Sequence, residues 1–340
     1  MAIAKNVTDA VRSSFGSLFV EKMAITHFRD GAWEPFQIQP YAPLPMDPAA
    51  HVFHYASTCF EGLKAHRHAD DSVHIFRLNK HMKRFERSAK LLCMPVPDPD
   101  EVGKAVSKLV RENKEWVPEE PGSLYIRPTL IGTLPNIGAA AHPTTEACLF
   151  ILLSPVGDYF EGGLKPLKLL IEPDKMRTSP SFGSAKTGGN YAASLGQIMS
   201  ARETYGTSQV LFAPGGDVQE TGAANFLLIN DKEILTKKLN DSFLHGVTRD
   251  SILQMGKDMG YKVTERDLSI EEVIDWVKDG EAALSGTAAV LAGIGSFVYR
   301  GETISCGNGE IGPNTLKLRQ ALVDIHGGKT ADAHGWLTRL

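Results

Sequence analysis

A Gly- and Pro-rich stretch, SPVGDYFEGGLKPL (Ser154 to Leu167), interrupts the chain between two strand-like apolar runs. It constrains the fold more than any other feature, because so many turn-forming residues between strands read as a join between separate folding units. The length of 340 residues supports the same division, at a prior of roughly one domain per 150 residues. The expected boundaries are residues 1–155 for a first domain, 156–166 for the connection and 167–340 for a second domain.

Both halves mix two periodicities. Before the connection, SVHIF, SLYIRPTLIG and EACLFILLS have the character of strands, whereas NKHMKRFERSAKLL and PDEVGKAVSKLVREN repeat apolar residues at helical spacing. Met82, Phe85, Ala89 and Leu92 share one face of the first of these helices, and Asn79 is its expected N-cap. After the connection come a strand KLLIE, a loop, a helix YAASLGQIMSARETYG, a strand SQVLFA, a turn PGGD, and strands NFLLIN and EILTK. Ser269 and Glu272 form a capping-box pattern ahead of EVIDWV, and Pro313 opens a helix that Gly327 closes. The predicted fold class is therefore mixed α/β (α+β), without internal repeats.

Charge and cysteine usage narrow the function. A formal net charge of −4 without basic runs lacks the electrostatic footprint of a nucleic-acid binder, which leaves small-molecule chemistry. The four cysteines, Cys59, Cys93, Cys148 and Cys306, form no CxxC pair, which argues against a zinc site and a disulfide framework and for a reducing compartment. No apolar run reaches the length of a membrane span, and MAIAKNVTDAVRSS has no signal-like apolar region. The expectation is a soluble, cytoplasmic protein.

The stretch SAKTGGNYAASL (Ser184 to Leu195) puts a lysine, Lys186, at a helix entrance. Leu195, Ile198 and Met199 define the expected apolar face of that helix, Asn190 can cap it, and Gly188-Gly189 allow a tight turn. A P-loop is excluded, since Pro180 and Ala185 stand where its glycines belong. A loop lysine can instead form an imine with an aldehyde cofactor such as pyridoxal 5'-phosphate. That chemistry demands a phosphate cradle and a partner for the pyridine nitrogen. Three segments are candidates for the cradle: Gly246-Val247-Thr248 ahead of a helix, Ser285-Gly286-Thr287-Ala288, and Arg77 at the end of VHIF. Each, taken alone, also reads as plain turn chemistry or a surface charge. Glu220, in DVQETGAANFLL, is the candidate for the ring nitrogen. His66, His68 and His74 flank Asp70-Asp71 in HRHADDSVH and read as exposed hairpin histidines rather than metal ligands.

Taken together, SAKTGGNYAASL, ETGAANFLL, LHGVTR, SGTA, FHYASTCFEGLKA, FRLNKHMKR and LYIRPTLIGT resemble the branched-chain amino acid aminotransferases, from about His51 to the C-terminal helix. The resemblance implies fold-type IV architecture: a smaller α/β domain, a larger domain with a pseudo-barrel of strands, and an active site between them in a homodimer. It implies that Lys186 bonds to the cofactor aldehyde and moves the proton between Cα and C4′. Tyr191 would hydrogen-bond the phenolic oxygen, Glu220 would pair with the pyridine nitrogen, and Leu244 would pack on the ring. Arg77, Gly246, Val247, Thr248 and Thr287 would hold the phosphate. Tyr55, Phe60 and Tyr125 match the walls of the side-chain pocket, Thr287-Ala288 the α-carboxylate site, and Arg127 the arginine that accepts the distal carboxylate of glutamate. The implied reaction is transamination of leucine, isoleucine and valine with 2-oxoglutarate. Ala289 and Ala292 replace a CxxC pair, so a redox switch is not expected, and Ala223 stands where some relatives carry a hydroxyl. A D-amino acid aminotransferase and an aminodeoxychorismate lyase share the implied fold, and a non-covalent phosphate-ligand module is the reading of another class.

Overall fold

A computed structural model describes residues 3–159 and 163–340. The described residues up to Tyr159, with Ala185–Gly188 and Ile325–Leu340, form one compact unit; residues 163–184, with Gly189–Asp324, form another. Of the expected connection, residues 160–162 lie outside the described residues.

The first unit runs α1 (Val7–Arg12), β1 (Lys22–Arg29), β2 (Ala32–Trp33), β3 (Gln37–Pro40), α2 (His51–Tyr55), β4 (Thr58–Phe60), β5 (Leu63–Arg67), β6 (Val73–Phe76), α3 (Leu78–Leu91), α4 (Pro99–Arg111), β7 (Ser123–Gly132) and β8 (Ala147–Val156). The second runs β9 (Leu167–Glu172), α5 (Gly188–Tyr205), β10 (Gln209–Phe212), β11 (Asn225–Ile229), β12 (Glu233–Thr236), α6 (Val247–Asp258), β13 (Lys262–Glu265), α7 (Ile270–Trp276), β14 (Glu281–Gly286), β15 (Val290–Tyr299), β16 (Glu302–Ser305) and α8 (Pro313–His326); β17 (Leu337–Arg339) follows.

Among the described residues, the sheet of the first unit has the order β17-β6-β5-β7-β8-β1-β2, with β3 also on β1 and β4 also on β7. Met82, Phe85 and Ala89 of α3 and Val102, Val106 and Leu109 of α4 pack with Leu63, Ile75, Leu124 and Ile126 of the sheet. Each buried aliphatic or aromatic side chain of this kind stabilises the fold by about 1.5 to 3 kcal/mol. Two expectations change here. Asn79 lies inside α3; the N-cap is Arg77, in a left-handed conformation (φ 54), with no side-chain cap. The C-terminal residues, expected in the second domain, belong to the first unit because β17 pairs with the exposed edge of β6, Leu337 opposite Phe76 and Arg339 opposite His74.

The histidines of the β5–β6 hairpin are half-buried rather than exposed. His66 and His74 face each other across the strands, His66 stacks on His326 at 4.7 Å, and His68 stacks on His74 at 3.9 Å. Ring packing, which no local pattern records, accounts for their burial.

The second sheet, curved as a half-barrel, has the order β10-β9-β15-β14-β11-β12-β13, with β16 on β15. Its core joins Leu169, Leu211, Phe226, Leu284 and Phe297 to Ile270 and Val273 of α7. Ser269 caps α7 by accepting the Glu272 N–H at 3.1 Å, and the Glu272 carboxylate returns to the Ser269 backbone while also accepting from Arg266. The parallel pair β9 and β10 is bridged by α5.

Of the expected apolar face of helix α5, only Ile198 is buried. Leu195 and Met199 are 55% and 41% exposed, and the buried positions are Asn190, Ser194, Ile198 and Ala201. The absence of a side chain at Gly222 makes room for this face: a Cβ there would lie 2.4 Å from Ile198 Cδ1 and 3.4 Å from Ser194 Oγ. Gly188 begins the helix directly, so Asn190 is not the cap; its side-chain amide donates to Phe182 O at 3.0 Å. Among the described residues no helix is long and apolar enough to cross a membrane.

Candidate active site

The candidate residues divide between the two units. In the first, Lys186 is bound into the fold through its backbone. Its N–H donates to Ser88 Oγ at 3.0 Å, its carbonyl accepts the Phe60 N–H at 3.0 Å, and Thr187 Oγ1 donates to Thr58 O at 2.7 Å. Lys186 is half-buried, and its Nζ lies 5.0 Å from the centroid of the Phe60 ring. A solvated surface lysine would show neither feature.

Sheet register builds the surroundings. Tyr125 and Arg127 alternate on β7, so they share a face, and Phe60 on β4 pairs into the same strand opposite Thr129. The Arg127 guanidinium lies 4.7 Å over Phe60 and 5.2 Å over Tyr125, and its Nη2 donates to Tyr125 Oη at 2.9 Å. Phe15, which no sequence pattern marks, packs edge-on against Tyr125 at 5.1 Å. Tyr55 is held by another set of contacts: its ring lies 4.9 Å from His51, and its hydroxyl donates to Ile137 O. Arg77 follows β6, half-buried, with its guanidinium 4.9 Å over Trp336.

Next to Phe60 lies a charge cluster the sequence did not announce. Glu61 is fully buried; Arg84 donates Nε to Oε1 at 2.7 Å and Nη2 to Oε2 at 2.9 Å, and His81 Nδ1 is 2.7 Å from Oε2. Burial alone would raise the Glu61 pKa, but Arg84 and His81 outweigh it and hold the carboxyl well below the usual range. Burial lowers the His81 pKa, an effect that Glu61 offsets only in part and that Arg84 and Lys186 reinforce. His66 is lowered by burial and by the neighbouring His326, Lys64 and His68.

These shifts set an acid response. An unfolded histidine binds a proton near pH 6.5, whereas folded His81 and His66 resist protonation until lower pH, so the unfolded chain holds more protons in that window. Stability should fall with pH below about 6.5 by up to about 1.4 kcal/mol per unit for each such group. Below about pH 4.3 the depressed Glu61 adds to the loss. Urea midpoints between pH 7 and pH 5 should fall, and His81→Asn should flatten the dependence; an unchanged slope in that variant would remove His81 from the account.

In the second unit Glu220 is 2% exposed. It pairs with Arg177 at 2.7 Å and accepts from Asn225 Nδ2 at 3.0 Å and from the Leu244 N–H at 2.9 Å. Asn225 Nδ2 also donates to Leu244 O at 2.8 Å, which ties the Leu244 loop to the carboxylate. That loop enters α6 through Gly246, an N-cap without a side-chain hydrogen bond, so no capping side chain takes the first N–H groups of Val247 and Thr248. Only glycine fits there, because a Cβ would lie 1.9 Å from Asn225 Oδ1.

Thr287 and Ala288 form the tight connection between β14 and β15, where Gly286 pairs with Val290. Val290, a β-branched residue, takes φ 61, a conformation that costs on the order of 1 to 3 kcal/mol and clusters at functional sites. Ser285 Oγ is buried with no hydrogen-bond partner among the described residues. Tyr191 lies half-buried in the first turns of α5. An uncapped helix N-terminus, an orphaned hydroxyl and a buried carboxylate suit a ligand with a phosphate and a protonated ring nitrogen. Arg177, Asn225, Ser88 and the Glu61 cluster are absent from the sequence reading, because their roles depend on partners distant in the chain.

Residues 58–297 match the family model of the Amino-transferase class IV, and the chain belongs to that class. Branched-chain-amino-acid aminotransferase 2 of Bacillus subtilis is 42% identical over 341 residues, 98% of this chain and 93% of the relative. A probable branched-chain-amino-acid aminotransferase of Streptomyces coelicolor is 39% identical over 96% of this chain and 92% of its own length. The branched-chain amino acid aminotransferase of Escherichia coli has a TM-score of 0.75 at 27% identity, covering 92% of this chain and 98% of that one. The T.th. enzyme with pyridoxamine 5'-phosphate has a TM-score of 0.74 at 28% identity, covering 93% and 97%. Within its class, the chain is a member of the branched-chain-amino-acid aminotransferase family, with fold-type IV architecture.

Proposed function

We propose that the protein catalyses reversible transamination of L-leucine, L-isoleucine and L-valine with 2-oxoglutarate, giving branched-chain 2-oxo acids and L-glutamate, with pyridoxal 5'-phosphate as cofactor. The observation that carries this reading is the cluster of Phe60, Tyr125 and Arg127 beside the Lys186 amine. Aromatic walls accept an aliphatic side chain, and a guanidinium tethered to the same wall accepts the distal carboxylate of glutamate.

When bound, the cofactor supplies an electron-withdrawing ring that takes up the electron pair left as the Cα proton departs. Lys186 Nζ would hold the cofactor and would take up the proton that leaves Cα. Glu220, held by Arg177 and two N–H donors, would pair with the ring nitrogen. The α6 N-terminus at Gly246, Val247 and Thr248, with Arg77 and Thr287, binds the phosphate. Tyr191 would hydrogen-bond the phenolic oxygen and Leu244 would lie against the ring, while Thr287-Ala288 would receive the α-carboxylate and Tyr55 would line the side-chain pocket. The reading also makes the protein a cytoplasmic homodimer, a setting that suits its four free cysteines; sedimentation should give twice the chain mass.

The test offers the protein L-leucine, D-alanine and aminodeoxychorismate separately, with 2-oxoglutarate, after borohydride has fixed the cofactor in a parallel sample. We expect 4-methyl-2-oxopentanoate and glutamate from L-leucine alone, and the fixed cofactor on the Lys186 peptide. Faster turnover of D-alanine would overturn the substrate assignment.

Gly62 sharpens the pocket prediction. A Cβ there would sit 2.0 Å from Tyr125 Oη, so Gly62→Ala must move the ring and break its bond with Arg127. Overpacking of about 1 to 3 kcal/mol should raise KM for L-leucine by about ten- to a hundredfold, as steady-state kinetics would show.

A further inference from the structure

Helix α3 buries polar residues next to its apolar stripe. His81, Arg84 and Ser88 recur at i, i+3 and i+7, so they share a face, and they are 2%, 9% and 0% exposed. Burying such groups is unfavourable unless each is hydrogen-bonded, and each is. His81 and Arg84 close on Glu61, while Ser88 Oγ accepts the Lys186 N–H. Glu61 directly follows Phe60, the residue whose N–H donates to the Lys186 carbonyl, and the Glu61 N–H itself donates to Pro128 O at 2.9 Å. Both polar ends of the Lys186 residue are thus referred to one helix: the N–H directly, and the carbonyl through β4 and its anchored glutamate.

We propose that Ser88 is a positioning residue of the reaction, fixing the Lys186 amine through its backbone, with the Glu61–Arg84–His81 cluster holding the β4 side of the same clamp. The inference rests on the reading of Lys186 as the reactive amine. A lysine side chain has four rotatable carbons between backbone and amine, so the amine is placed only as well as its backbone is. A misplacement of about 1 Å can cost about 10²-fold in rate.

The test uses Ser88→Ala, which removes the acceptor, and Ser88→Thr, which restores a hydroxyl. In Ser88→Ala, kcat with L-leucine should fall about ten- to a hundredfold while KM stays within about threefold, and Ser88→Thr should recover most of the loss. The second readout needs no turnover. In cofactor-free protein, trinitrobenzenesulfonate labelling of Lys186, followed by peptide mass spectrometry, should accelerate at least about fivefold in Ser88→Ala, while other lysines keep their rates. A general loosening of the fold would instead move several lysines together and would overturn the proposal. So would Ser88→Ala with kcat and Lys186 labelling within about twofold of the parent. Borohydride fixation on a different lysine would sink the functional reading and this inference with it, whereas fixation on Lys186 with an unaffected Ser88→Ala would sink the inference alone.

Discussion

Lys186→Ala should lower leucine transamination by at least about 10³-fold, within the range that positioned proton-transfer groups contribute. The substitution removes the amine that holds the cofactor and the base that carries the proton. It should leave the fold intact, because the hydrogen bonds to Ser88 and Phe60 use only the Lys186 backbone. Lys186→Arg should fail equally, since a guanidinium stays protonated and cannot act as a neutral amine. Stopped-flow or coupled assays of glutamate release measure the loss, with the urea midpoint as the control for folding. Turnover of Lys186→Ala within about tenfold of the parent would remove Lys186 from the chemistry.

Arg177→Met should produce the largest loss of stability. Arg177 and Glu220 are each 3% exposed at the side chain and 2.7 Å apart, and Arg177 Nη2 also donates to Gly183 O at 3.0 Å. Removing one partner of a buried ion pair leaves an uncompensated charge and costs about 3 to 5 kcal/mol. The double variant Arg177→Met/Glu220→Gln should regain part of that stability, because the stranded charge disappears with its partner. Its activity should nevertheless remain low, since a neutral amide cannot keep a ring nitrogen protonated. Urea midpoints of the two single variants and the double variant, set beside their turnover, separate the structural cost from the chemical one. A double variant no more stable than Arg177→Met would show that the guanidinium matters for packing and not for charge.

Part of the site is legible in local sequence. Tyr125 and Arg127 share a face because strand alternation is local, and Gly246 opens α6 because a small residue before an apolar-periodic run is a local signal. Where the fold departs from that reading, a distant neighbour decides. Of the expected apolar face of α5, Ile198 turns inward, beside Ser194 and Ala201, where the missing side chain at Gly222 leaves room for it, whereas Leu195 and Met199 stay exposed. Asn79 yields the cap of α3 to Arg77, whose N–H is taken by Trp336 O at 2.7 Å.

By itself, the sequence determined the alternation of strands and helices and the short ordered motifs that place a lysine, a carboxylate and two glycine-bearing turns in one family's pattern. These follow from periodicity, capping and backbone freedom, which act over a few neighbouring residues. Only the tertiary structure decided which groups meet: Ser88 with Lys186 across 98 positions, Arg84 with Glu61, Arg177 with Glu220, and the C-terminal strand with β6. Such pairings depend on strand register and on the partners that buried polar groups must find, and both are settled when the chain packs.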